Sequence, residues 1–275
     1  MIKDIIVNLD LAARDCAGDF ALSVAETFDA HVLGVAVAYD PIISGSIMGG
    51  IPPQFIDSWR AESEKKTHVA IGRFEQAAKR AGISAEGVAL STDISSAASQ
   101  LGAMARRFDL AVVGQPEPEK SIAEEGVGEA VLFESGRPVI MVPYIQQQGL
   151  KLDRVMVCWD GGRAASRAIA DSMPFLEKAK QIEVVLVAGN PAKSDEIPGA
   201  DLGQHLARHG LKINVKRVVA PDIDVTSAVL SYAADSSADM IVMGGYGHSR
   251  LREFVLGGVT RGILATMTVP TLMSH

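Results

Sequence analysis

The sequence lacks the features that mark several protein classes. It has two cysteines in 275 residues, too few for a disulfide framework and typical of a reducing cytoplasm. No apolar run approaches the roughly 18 residues of a membrane span, and the opening MIKDIIVNLD does not have the layout of a signal peptide. The net charge of −7 is the opposite of the basic excess that nucleic-acid binders carry. We therefore expect a soluble cytoplasmic protein that binds neither nucleic acid nor membrane.

Common catalytic signatures are missing as well. The sequence has no G-x4-G-K followed by Ser or Thr, and no nucleophile elbow. His205 and His209 lie four residues apart on a predicted helix and could hold zinc, but without a third ligand two solvated histidines are the simpler interpretation. We predict no catalytic residue and no metal site, and whether the protein is an enzyme stays uncertain.

The chain is a tandem duplication. Lys3–Cys16 aligns without gaps on Asp153–Ser166, which places Asp10 on Asp160. Farther on, DLAVVGQPEPE aligns with DMIVMGGYGHS, and RPVIMVPY aligns with TVPTLMSH. Three matches in the same order predict two domains, residues 1–146 and 151–275, separated by a short polar stretch.

Strand-like and helix-like runs alternate within each copy. This alternation predicts an α/β fold, a doubly wound parallel sheet in each domain. Ligands of such sheets bind outside the carboxyl ends of the strands. Pro41–Pro53, rich in glycine and isoleucine, is either a flap that contacts a partner or an ordinary surface loop.

The last strand–helix unit of the second copy carries an unusual set of glycines. The strand Met240–Met243 runs into Gly244-Gly245-Tyr246-Gly247, and a helical pattern over Ser249–Thr266 contains Gly257-Gly258. Paired glycines weaken a helix by roughly 1 kcal/mol each. One reason to keep them is close approach of backbone N–H groups to a phosphate; the alternative is a tight turn.

The spacing Gly244-x2-Gly247-x9-Gly257 resembles the nucleotide-binding signature of the universal stress protein family, with Gly258 where the family pattern has Ser or Thr. The resemblance covers essentially the whole chain. It implies two tandem flavodoxin-like (Rossmann-like) domains packed as a pseudo-dimer, with the last strands, Val139–Val142 and Pro270–Met273, paired across its axis.

The resemblance also assigns roles to residues. Asp160 would contact the ribose, although it could instead cap the following helix. The strand end at Val187-Ala188 would frame the adenine through backbone groups. Arg250, Arg252 and Arg261 could neutralise phosphate charge, although surface arginines are usually only solvated. The complete set of predicted cofactor-binding residues is Trp159, Asp160, Val187, Ala188, Met243, Gly244, Tyr246, Gly247, Gly257, Gly258, Val259 and Thr260.

The first copy has lost this motif. Gly245, Gly247 and Gly257 align with Gln115, Glu117 and Glu125, and Pro116 and Pro118 remove backbone donors. Carboxylates would repel a phosphate there. We therefore expect the first domain to be degenerate and nucleotide binding to be confined to the second.

By this resemblance the protein is a stress-response sensor or signalling module that binds ATP or AMP, with or without Mg²⁺. The alternatives are a slow Mg²⁺-dependent ATPase and a nucleotide-free stress scaffold; the loss of Ser or Thr at Gly258 favours the scaffold. We also expect the protein to bind a protein partner, whose identity the sequence does not indicate, and the tandem chain could form a homodimer.

Overall fold

A computed structural model describes residues 1–40, 52–117, 126–188, 199–219, 224–246 and 258–275. The chain divides into two compact units, Met1–Gly149 and Leu150–His275. Each unit is a parallel sheet with helices packed against it, so the predicted α/β fold is confirmed.

The first unit contains five strands and, within its described residues, four helices. The strands lie in the order β3-β2-β1-β4-β5 and every neighbouring pair is parallel. Helices α1 and α2 contact each other, as do α3 and α4, in keeping with right-handed crossovers that change direction at β1. The elements are β1 Asp4–Asn8, α1 Cys16–Phe28, β2 His31–Asp40, α2 Pro53–Ala81, β3 Ala85–Asp93, α3 Ala97–Ala105, β4 Leu110–Gly114, α4 Val127–Glu134 and β5 Val139–Val142.

The second unit repeats this topology. Its strands lie in the order β8-β7-β6-β9-β10, again all parallel. The elements are β6 Arg154–Cys158, α5 Arg163–Leu176, β7 Gln181–Ala188, α6 Ala200–Arg208, β8 Ile213–Val219, α7 Val225–Asp235, β9 Met240–Gly244, α8 Val259–Thr266 and β10 Thr271–Ser274.

The central strands are apolar on both faces because helices cover both faces of the sheet. Ile5, Ile6 and Val7 of β1 are buried, as are Val155, Met156 and Val157 of β6. In each unit the first and fourth strands are neighbours, so their carboxyl ends lie side by side. This is the point at which the strand order reverses, where ligands of such sheets bind.

The structure corrects one helix and adds another. The predicted helix over Ser249–Thr266 is wrong at Gly258, which precedes the first turn of α8 with φ −66° and ψ 110° and so carries no helix-interior cost. Helix α4 was not expected from the sequence. Residues 41–51 of the predicted flap lie outside the described residues, and the packing of the two units as a pseudo-dimer stays a prediction. Within the described residues, no helix is both long enough and apolar enough to cross a membrane.

Candidate functional site

The end of β9 lies against the first turn of α5. A Cβ added to Gly244 would stand 2.4 Å from the backbone N of Ala165 and 2.6 Å from the carbonyl carbon of Ala164. Backbone atoms cannot rotate away, so this glycine is required by strand–helix packing. Its contact brings the start of the glycine motif next to the N-terminus of α5.

Beyond β9, Tyr246 has φ +50°, a left-handed conformation that is uncommon outside glycine. Its backbone N–H donates to the hydroxyl of Thr260 over 3.0 Å, and Thr260 is only 3% exposed. One hydrogen bond therefore joins the loop after β9 to the first turn of α8. The two halves of the predicted motif that the structure describes, Gly244–Tyr246 and Gly258–Thr260, lie together.

Helices α5 and α8 begin beside the glycine motif without a side-chain cap. Gly162 precedes α5 and Gly258 precedes α8, and neither can supply a capping oxygen. The first N–H groups of each helix have no intrahelical partner, and the helix dipole adds a partial positive charge there. Such termini favour an anion, and a phosphate suits them without any charged side chain.

Asp160 follows β6 and is exposed. Its Oδ1 accepts a hydrogen bond from the Gly162 N–H over 2.7 Å, which closes a turn ahead of α5. The N-cap position of α5 belongs to Gly162, so Asp160 does not cap the helix in the way considered from the sequence. Its equivalent, Asp10, makes the same turn with Ala12 N–H over 2.7 Å. The turn is thus a property of the fold, and it uses one carboxylate oxygen.

The remaining predicted residues lie around this edge. Val187 and Ala188 end β7, and Met243 is buried in β9 beside β10. Val259 and Thr260 begin α8, and Arg261 on the same helix is exposed. Gly247, Gly257, Arg250 and Arg252 lie outside the described residues.

Trp159 is also part of a separate groove between α5 and α6. Its backbone N–H donates to the Val185 carbonyl over 2.9 Å. The groove measures about 400 Å³, and Asp160, Gly244, Tyr246 and Gly258 are not among its lining residues. His205 and His209 line it with ring centroids 4.9 Å apart, edge to face. Among the described residues, no group of three His, Cys, Asp or Glu side chains could hold a metal ion.

Cys158 ends β6 one residue before Trp159. Burial, reinforced by the negative charge of Asp160, raises the pKa of its thiol to about 12. The thiol is therefore protonated at neutral pH and is not a nucleophile.

The equivalent edge of the first unit is built differently. The Asp15 side chain caps α1 by accepting the Gly18 N–H over 2.8 Å, so a carboxylate already occupies this helix N-terminus. Pro116 stands where Tyr246 donates its N–H in the second unit, whereas the preceding residues agree: Gln115 N–H donates to the Val142 carbonyl as Gly245 N–H does to the Ser274 carbonyl. The loss of a donor at the proline is predicted from the sequence and the Asp15 cap is not, although an Asp three residues before Gly18 is a recognisable capping pattern.

Comparisons with known proteins agree with this fold. The universal stress protein family model matches residues 151–275. A universal stress protein of Synechocystis sp. is 24% identical over 171 residues, which cover 60% of this chain and 57% of that protein. The crystal structure of a universal stress protein from Archaeoglobus fulgidus superposes with a TM-score of 0.75 at 19% identity, covering 98% of this chain and 94% of that chain. A Pseudomonas aeruginosa protein of unknown function superposes with a TM-score of 0.61 at 13% identity, covering 98% and 92%.

The similarity to solved structures supports the fold alone. The assignment to a family rests on the family model that matches residues 151–275. The resemblance noted in the sequence is thereby confirmed: residues 151–275 belong to the universal stress protein family.

Proposed function

We propose that the second unit binds an adenine nucleotide, ATP or AMP, at the carboxyl edge of β6 and β9, and that this stress protein acts as a sensor or signalling module. In this proposal the nucleotide is the signal, and a protein partner distinguishes the nucleotide-bound form from the nucleotide-free form.

The hydrogen bond between Tyr246 N–H and the Thr260 hydroxyl carries the proposal. It places the residues that follow β9 next to the N-terminus of α8, where the first backbone N–H groups have no intrahelical partner. Phosphate is the chemical group that such a region suits best.

The other roles follow from position in the sheet. Asp160 has a second carboxylate oxygen for the ribose hydroxyls, since only Oδ1 is used by the turn with Gly162. Strand β7 pairs with β6 as far as Val185, and its end at Val187 and Ala188 extends beyond β6 and offers backbone groups to the base. Mg²⁺, if it accompanies ATP, would be held mainly by the phosphates, as is usual for this ion.

The first unit does not share this role in the proposal. Asp15 provides the negative charge at the start of α1, and Glu117 lines the same edge. A phosphate would meet two carboxyl groups at short range.

The test is to denature freshly purified protein and identify any released nucleotide by chromatography. The wild-type chain should release ATP or AMP, and a Gly247→Glu variant, which copies Glu117 into the second unit, should release none. The matched control is Glu117→Gln, which changes the first unit only and should release as much nucleotide as wild type.

If the nucleotide is lost during purification, the empty site is detected by titrating the wild-type chain with ATP and Mg²⁺ in a calorimeter. No nucleotide in the preparation and no heat of binding would refute the proposal and favour a nucleotide-free scaffold. Hydrolysis of ATP faster than its spontaneous hydrolysis in solution, and lost in Asp160→Ala, would instead show a slow ATPase.

A further inference from the structure

Helix α2 of the first unit is much longer than its counterpart in the second unit. It has 29 residues, whereas α6 has 9. Both helices end shortly before the next strand, so the additional turns of α2 lie at its N-terminal end. The second unit has the same strand order with the short helix, so the parallel sheet does not require these turns.

The sheet covers the C-terminal part of α2. Phe74 packs against Gly34 of β2, where an added Cβ would stand 2.7 Å from its ring. Arg60 Nε donates to Asp40 Oδ1 over 3.1 Å and ties the N-terminal part of the helix to the end of β2. Among the described side chains of α2 that precede Thr67, however, none is buried. The residues buried on the side of the sheet are Thr67, Ala70, Phe74 and Ala78.

A second stripe of residues runs along the N-terminal part of α2. Phe55, Trp59 and Val69 are 67%, 61% and 62% exposed. They share one side of the helix with Glu62 and Lys66, because successive spacings are four and three residues. At 3.6 residues per turn, this side lies about 100° around the helix from the side buried on the sheet. Large apolar side chains grouped on an exposed surface indicate an interaction site. We call these five residues the α2 stripe.

The charges at the middle of the α2 stripe are complementary to those of a second copy. Glu62 and Lys66 form an ion pair of 3.5 Å, and their side chains are 60% and 59% exposed. In an antiparallel pair of α2 helices, a two-fold axis level with residue 64 places Glu62 opposite the partner subunit's Lys66, and Lys66 opposite the partner subunit's Glu62. The same axis places Trp59 opposite the partner subunit's Val69. A two-fold interface requires a surface that is complementary to itself, and the α2 stripe meets this requirement in its charged and its apolar positions.

We propose that the α2 stripe is the interface of a homodimer, in which the α2 helices of two chains pack as an antiparallel pair. Trp59 and Val69 form its apolar contacts, and Glu62 and Lys66 fix the register. Each chain contributes about four helical turns, which is a small interface, so we expect a dimer that dissociates in the micromolar range. The inference does not rest on the proposed nucleotide site, because the α2 stripe belongs to the first unit.

The experiment is sedimentation velocity of the full-length chain over a range of micromolar concentrations. The wild type should change from monomer to dimer as its concentration rises. Glu62→Lys and Lys66→Glu should each weaken the dimer by about tenfold or more, because each places like charges opposite one another on both sides of the axis. An equimolar mixture of these two variants should dimerise like wild type, because opposite charges then face each other at every position.

The matched control is Glu64→Lys, which changes the net charge as Glu62→Lys does. Residue 64 is exposed and lies on the opposite side of the helix from the α2 stripe, so this variant should dimerise like wild type. Trp59→Ala tests the apolar contacts and should also weaken the dimer by about tenfold. Circular dichroism of each variant checks that its helix content is unchanged.

A wild-type chain that stays monomeric at every concentration would overturn the proposal, and would mean that another protein or other residues of this chain cover the α2 stripe. A dimer that Glu62→Lys leaves unchanged would place the interface elsewhere and overturn it as well. The same conclusion would follow if Glu64→Lys weakened the dimer as much as Glu62→Lys, or if the mixture of the two charge variants stayed monomeric.

Discussion

Gly114 and Gly244 hold the same position in the two units, but only the replacement of Gly244 by alanine should be destabilising. A Cβ on Gly244 would overlap the backbone of Ala164 and Ala165 at 2.4–2.6 Å. A Cβ on Gly114 would meet only the Ala17 side chain, at an ordinary 3.6 Å. The Gly244→Ala change forces β9 away from α5, and overpacking of this kind costs about 1–3 kcal/mol, here at the upper end because the obstacle is backbone. Gly114→Ala should be neutral or stabilise the first unit by about 0.4–1 kcal/mol, since it restricts the unfolded chain.

The two units need separate readouts, because a two-unit chain does not have to unfold in one step. The sequence has two tryptophans, so Trp59→Phe leaves Trp159 to report on the second unit. Urea unfolding followed by Trp159 fluorescence should give a lower midpoint for Gly244→Ala and an unchanged midpoint for Gly114→Ala. Hydrogen exchange of β1 and β4 peptides reports on the first unit. Equal destabilisation of both variants, or a harmless Gly244→Ala, would refute the packing explanation for this glycine.

Three further predictions concern single side chains. Thr260→Val removes the acceptor of the half-buried Tyr246 N–H and should destabilise the second unit by about 1 kcal/mol in urea unfolding, whereas Thr260→Ser keeps the hydroxyl and should not. Asp15 has a folded pKa of about 6, above its ordinary 3.8, so the folded chain binds the extra proton and its stability should fall as pH rises from about 4 to 6. Asp15→Asn can still cap α1 and should lack this fall; parallel pH profiles for the two proteins would contradict the assignment. Cys158 should react with iodoacetamide far more slowly in the native protein than in urea, because burial raises its pKa to about 12; equal rates, read by mass spectrometry of its peptide, would contradict this.

The strands were the most predictable part of the fold. Leu110–Gly114 and Val139–Val142 are short apolar runs with turn residues after them, and the structure has strands with these limits. Helix α4 was missed because eight residues give little more than two turns of periodicity, too few to separate from a loop. The predicted helix extends across Gly258 because the apolar spacing is the same on both sides of this residue. The backbone of Gly258 is extended, so α8 begins only at Val259.

At the candidate site, the sequence indicated which residues matter but not always for what reason. Gly244 fits a phosphate motif, yet the structure gives it a packing reason that no spacing pattern could reveal. The roles of Thr260 as an acceptor and of Asp15 as a buried cap depend on contacts between segments far apart in the chain. Such contacts follow from the sheet topology and not from local periodicity. Nucleotide binding itself stays a prediction of the motif and of the geometry around it.

The carboxylate of Asp15 at the start of α1 has a consequence for how the chain would respond to its ligand. In the first unit, the helix N-terminus that would bind a phosphate is already occupied by a carboxylate of the chain itself. If the second unit binds nucleotide as proposed, its occupancy alone varies with nucleotide concentration, and each chain has one site that fills and empties. Cooperativity cannot exceed the number of coupled sites. An isolated chain should therefore saturate along a simple hyperbola, as a graded reporter of nucleotide level and not as a switch with a threshold.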